Sequence, residues 1–140
     1  MPKLVLYIII IVPAVLVGLG IAVYTFQEHL IFHPEKLSEK YSYQFGENFE
    51  ELNFKTTDGQ TINALLFKAD SSKGVVYYHH GNAGTLEGWG NRAVDFVSRG
   101  YDVLMYDYRS FGKSTGKIKN EKMLYSDAVL IYKHLLYDYK

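Results

Sequence analysis

The sequence predicts an α/β fold, with an antiparallel strand pair followed by a parallel strand–helix–strand–helix run, all behind one apolar segment of membrane length. Three observations carry this expectation. Asp58-Gly59 lies between two runs of β-formers, a strong short-range hairpin signal. Val75–Tyr78 and Val103–Tyr106 are short apolar runs separated by a stretch of helical period. Leu4–Phe26 contains no charged side chain over 23 residues.

That first segment would reach about 35 Å as a helix, enough to cross a bilayer. Pro13, Gly18 and Gly20 are tolerated in membrane helices. The reading is a single-pass anchor over residues 1–26, in contact with lipid through residues 4–26. A cleaved signal peptide is the alternative, with Gly20-Ile21-Ala22 as a small-residue cleavage site, although signal-peptide cores usually run about 7 to 15 residues. Lys3 precedes the span and Lys36 and Lys40 follow it, so the positive-inside rule discriminates little. A large following domain translocates with little regard to charge, which places it on the extracytoplasmic side.

Residues 27–48 read as a juxtamembrane segment and 49–140 as an incomplete α/β domain. Fifteen basic and 15 acidic side chains balance, so no net field favours nucleic acid, and none is expected as a partner. There is no cysteine, which excludes disulfides, thiolate zinc sites and a cysteine nucleophile. His29 and His33 read as a polar interfacial face, since no metal-binding pattern surrounds them.

In order, Phe49–Thr56 and Thr61–Lys68 form the hairpin. Val75–Tyr78 has the continuous apolar pattern of a central strand covered on both faces. A helix is expected over Leu86–Arg99, with Thr85 or a neighbour as cap; Trp89, Ala93, Phe96 and Val97 share one face and Gly100 stops it. The strand Tyr101–Asp107 follows through a right-handed crossover. After the loop Tyr108–Asn120, a helix to about Tyr137 carries Leu124, Ala128, Ile131 and Leu135 on one stripe.

The stretch with chemistry in it is His80-Gly81-Asn82-Ala83-Gly84, between an apolar strand and a helix. Gly81 and Gly84 permit a tight bend, and the amides of Asn82 and Ala83 can point into the turn. Such amide pairs suit an oxyanion, where each fixed donor is worth roughly 3 to 4 kcal/mol of barrier. The plainer alternative is a strand-to-helix turn without catalytic duty.

The apolar segment, QEHLIFHP, the strand pair around TTDGQTINALLF, VVYYHHGNAG and GYDVLMYDYRSFGKSTG together resemble the α/β-hydrolase superfamily, nearest its single-pass esterase- or peptidase-like branch. The resemblance runs from Gln27 to the end of the chain. It implies that Asn82 supplies one oxyanion-hole amide, with Ala83 beside it, and that His80, Gly81 and Gly84 hold the loop in shape. The second donor in that family is the amide after the nucleophile. One departure is Ser110, where the family usually has glycine; with Gly112 and Gly116 retained, the swap counts as minor.

Gly112-Lys113-Ser114-Thr115-Gly116 matches Gly-x-Ser-x-Gly, with Asp127 and His134 following, but is not expected to be a nucleophile elbow. An elbow needs a strand running straight into the first glycine and a helix starting after the serine; here residues 107–111 and 116–119 intervene. Asp127 and His134 would sit about 10 Å apart along one helix, too far for a hydrogen bond of about 3 Å. Both read as helix-surface residues and Ser114 as a loop residue. Gly112-Lys113-Ser114 is not the tail of a phosphate loop, since residue 107 is Asp rather than Gly. His79 and His80 face opposite sides of a strand and cannot share a metal; His79 is expected to be structural. Asp107 and Arg109 are expected to form a loop-stapling ion pair.

The resemblance puts nucleophile, acid and histidine beyond Lys140 and leaves Val75–Tyr78 as an uncovered, aggregation-prone edge. The expected function is that of an N-terminal fragment of a membrane-anchored serine hydrolase, acting on small-molecule or peptide acyl substrates in the complete parent. The chain alone would be inactive, and neither metal nor organic cofactor is implied. The alternative is a non-catalytic, membrane-tethered binding module derived from a hydrolase.

Overall fold

The computed structural model describes residues 2–139 and divides into two compact units, one ending at Phe32 and the other beginning at His33. The first is the helix α1 (Lys3–Ile31), which continues five residues past Phe26. By length and composition it could cross a membrane. A soluble core helix or a signal sequence passes the same test.

In the second unit, β1 (His33–Pro34) leads through an extended segment to β2 (Phe49–Lys55) and β3 (Thr61–Phe67), then β4 (Val75–Tyr78) and β5 (Ala83–Gly84). The helical region that follows is α2 (Leu86–Trp89), a 3₁₀ turn over Gly90–Ala93, and α3 (Val94–Val97). The last elements are β6 (Asp102–Tyr106) and α4 (Glu121–Asp138). The main sheet has the order β2-β3-β6-β4, and β1 pairs separately with β5.

The expected hairpin forms, with Phe49 opposite Phe67 and Lys55 opposite Thr61. Gly59 closes its turn at φ +79°, a left-handed conformation open to glycine at little cost. The parallel pairing also forms, with Val75 against Asp102 through Tyr78 against Met105. Alternation along β3 and β6 then builds two cores. Leu65, Phe67, Val103 and Met105 pack with Tyr43, Leu86 and Ala93 on one side. Ile62, Ala64, Leu66, Leu104 and Tyr106 pack with Ile131 and Leu135 of α4 on the other. The last helix starts where expected, and Asn120 caps it, its Oδ1 accepting from the Met123 amide at 3.0 Å.

Two expectations change. The helix over Leu86–Arg99 is broken into three short pieces, although its apolar face packs as its period implies. The break falls at Gly90, where a Cβ would lie 2.4 Å from the Phe45 ring. The backbone presses directly on an aromatic ring there, and the chain tightens into a 3₁₀ turn. The apolar run of β4 suggested a central strand, yet β4 is at the sheet edge and its residues are only half-buried. That is the place the hydrolase strand order implied for it.

Candidate functional site

β4 and β6 are parallel, so their C-terminal ends bring His79-His80 and Asp107 to the same end of the sheet, where ligand sites of open α/β sheets lie. The side chains of His80 and Asp107 are fully buried, with His80 Nε2 3.4 Å from Asp107 Oδ1. His80 Nδ1 lies 2.7 Å from the Gly81 carbonyl oxygen. A carbonyl only accepts, so this nitrogen carries a proton. Nε2 and the carboxyl oxygen would then repel as two acceptors unless a proton sits between them. Burial pushes the Asp107 carboxyl above the usual range, against the opposing pull of His80, the Leu86 amide and Lys36.

Asp107 is a junction for several segments. Its Oδ1 accepts from the Leu86 amide at 3.0 Å, its own amide donates to Asn63 O at 2.9 Å, and its carbonyl accepts from Ser114 Oγ at 2.6 Å. Gly112 packs so tightly on the carboxylate that a Cβ there would be 1.8 Å from Oδ2. Tyr108 donates to the His80 carbonyl at 2.7 Å, and burial pushes its phenol up to about 12.

The His80–Gly84 turn wraps the side of Trp89. Its indole Nε1 donates to Ala83 O at 2.9 Å, its ring stacks on His80 with centroids 6.0 Å apart, and a Cβ at Gly81 would touch it at 3.0 Å. Gly84 has φ +79°. On the other side, Ala83 and Gly84 pair in parallel with His33 and Pro34, and the His33 amide donates to Asn82 O at 2.8 Å.

Ser114 is wholly buried in the loop between β6 and α4. Its hydroxyl donates to Asp107 O and accepts the Asn63 amide at 2.8 Å. His134 bonds Asp138 at 3.1 Å, one helical turn on. These three residues therefore form no triad. Asp127 is not the surface residue expected: it is 4% exposed and grips Arg109 through Nε at 2.7 Å and Nη2 at 2.9 Å.

The expected Asp107–Arg109 staple gives way to this arrangement. Arg109 instead joins Asp127 of α4 to Asp58 of the hairpin turn, at 2.6 and 2.9 Å. Asp107 is turned to His80, and the two carboxylates of Asp58 and Asp127 take up the Arg109 guanidinium instead. Ser110 is also more consequential than its sequence suggested, because it occupies φ +72°, the one left-handed non-glycine among the described residues. His79 has the structural partner expected, with Nδ1 3.1 Å from the Tyr106 hydroxyl. Among the described residues no group of three or more His, Asp or Glu could hold a metal ion.

No protein-family model matches the chain. The Pyrococcus furiosus esterase Pf2001 shares its fold with TM-score 0.54 and 22% identity, over 74% of this chain and 42% of the esterase. An α/β hydrolase from Vibrio vulnificus gives 0.54 and 23%, over 65% and 30%. The lysophosphatidylserine lipase ABHD12 of Danio rerio is 42% identical over 64 residues, 44% of this chain and 16% of the lipase.

The chain is related to the α/β-hydrolase superfamily.

An uncharacterized protein, R595, of Acanthamoeba polyphaga mimivirus is 32% identical over 92 residues, 64% of this chain and 31% of that protein. The hydrolase-like chain spans less than a third of the length of the curated relatives it matches.

Proposed function

We propose that this chain supplies the oxyanion-loop half of a membrane-anchored serine hydrolase that cleaves ester, thioester or amide bonds. The supporting observation is how the HGNAG turn is held. His80, locked between Asp107 and Trp89, bonds the Gly81 carbonyl. Among the described residues there is no cis peptide, so in the Gly81–Asn82 unit the amide points opposite to that pinned carbonyl. Fixing one fixes the other. Stabilisation of a developing oxyanion depends on donors set in place before the reaction.

In this reading Asn82 and Ala83 contribute backbone N–H groups, with His80, Gly81 and Gly84 shaping the turn. The nucleophile comes from a strand following α4 and pairing with the open edge of β4. Helix α1 is the anchor and the domain faces the extracytoplasmic side; resistance to alkaline carbonate extraction and protease accessibility in sealed vesicles test these two points.

The deciding experiment is fluorophosphonate labelling. The 140-residue chain should not label. A protein with this chain followed, within about 30 residues, by an apolar strand ending in Gly-x-Ser-x-Gly should label at that serine. Asn82→Pro, which deletes the amide, should slow its labelling by about 100-fold or more, while Asn82→Ala should not. Equal rates in the two variants would refute the oxyanion role. Absence of such a strand, with no labelling, would favour a tethered binding module.

A further inference from the structure

The segment between α1 and the domain core carries a second assignment. His33 to Leu37 runs as a strap across two loops that are far apart in sequence. At one end the His33 amide donates to Asn82 O at 2.8 Å, and β1 pairs with Ala83-Gly84. At the other, the Gly112 amide donates to Glu35 O at 2.7 Å and the Leu37 amide donates to Gly112 O at 3.1 Å. Lys36 makes a parallel bridge with Gly112 and its ammonium bonds the Ser114 carbonyl.

We infer that His33–Leu37 is the positioning element that holds the HGNAG turn and the Gly112–Ser114 turn in register, at the first turn through its backbone and at the second through its backbone and the Lys36 ammonium. The geometry favours this over a passive linker in two respects. The turn at 80–84 lies outside the helices and the main sheet, and the bond to Asn82 O with the two-residue β1–β5 ladder ties it to His33–Pro34. Gly112 is the residue pressed on the Asp107 carboxylate, and Asp107 in turn faces His80. The strap thus grips both ends of the Asp107–His80 connection. A shift of the strap at either end would displace the Asn82 peptide. Only Phe32 separates His33 from the last residue of α1, so the positioning element is covalently continuous with the apolar helix.

The assignment concerns the loop proposed above as an oxyanion site but is tested on loop geometry, so loss of the hydrolase reading would leave it standing. The experiment is hydrogen–deuterium exchange of the full chain in lipid nanodiscs, read at residues 80–86, 107–116 and, as a control, 61–67. His33→Pro removes the amide that donates to Asn82 O, and His33→Ala keeps it. Loss of one hydrogen bond of ordinary strength corresponds to about a tenfold rise in exchange. That rise is expected at 80–86 in His33→Pro alone, with 61–67 unchanged and His33→Ala matching the parent chain. Leu37→Pro should do the same at 107–116. Unchanged exchange at 80–86 in His33→Pro would overturn the assignment. If His33→Pro lost protection throughout, the parent chain decides: the His33 and Gly112 amides must open together with those of Gly84 and Leu86, and unprotected exchange at His33 and Gly112 would reject the strap's role.

Discussion

Arg109 Nε lies 2.7 Å from Asp127 Oδ2 while the far edge of the same guanidinium holds Asp58 in a two-bonded fork. One planar cation therefore joins the hairpin turn, the loop after β6 and the first half of α4. Both partners hold the Arg109 guanidinium above its usual range.

Arg109→Ala should be among the most damaging single changes. It strands Asp127 as a buried, unpaired carboxylate, a situation that costs about 3–5 kcal/mol. Arg109→Lys should rescue little, because an ammonium cannot reproduce two planar forks. Urea denaturation of the full chain, followed by circular dichroism, checks both.

The Asp58 end of the clamp sets a pH dependence. Hydrogen bonds from Arg109 and Thr56 hold its carboxyl well below the usual carboxylate range. A folded-state value below the unfolded one means stability that is present above the unfolded value, about 3.9, and is lost as pH falls through the folded value. Asp58→Asn should flatten this acid limb relative to the parent chain, as read by denaturation midpoints from pH 5 downward.

Ser110→Gly should stabilise the fold. A left-handed non-glycine residue costs about 1–2 kcal/mol, offset in part by the bond that Ser110 Oγ donates to Gly116 O at 3.2 Å and by the freedom glycine adds to the unfolded chain. A net gain of about 0.5–1 kcal/mol is expected, and Ser110→Ala should lose stability. A fall in midpoint for Ser110→Gly would refute the strain argument.

Gly112→Ala should be close to intolerable, since its Cβ would overlap the Asp107 carboxylate at 1.8 Å. Displacement of a buried carboxyl in a packed site costs about 3 kcal/mol or more. Ser114→Ala should be milder, about 1–3 kcal/mol, through the Asn63 amide it leaves without its acceptor. Thermal unfolding of the two variants should reproduce that ranking.

Much of the fold was legible because its signals are local. Asp58-Gly59 announced the hairpin, Asn120 the start of α4, and the two apolar runs the parallel pair. The interruption at Gly90 was not legible, because its cause is the Phe45 ring, distant in sequence. Asp127 did leave a signal. It stands three residues after Leu124 and four before Ile131, inside the apolar stripe of α4, where an ionised carboxylate requires a buried cation. Asp58 left none beyond its turn, since its link to Arg109 exists only in three dimensions. In the candidate site, the HGNAG turn was visible as glycine spacing between a strand and a helix. Its dependence on Asp107 was hidden, because that residue was paired on paper with its neighbour Arg109.

Trp89 is the sole tryptophan of the chain, and its indole is bonded to Ala83 and stacked on His80. A single native fluorophore thus sits against the turn. Emission wavelength and lifetime will report on that contact without an introduced label, so occupancy or loosening of the turn can be watched in the full chain against a background of tyrosine light that selective excitation removes.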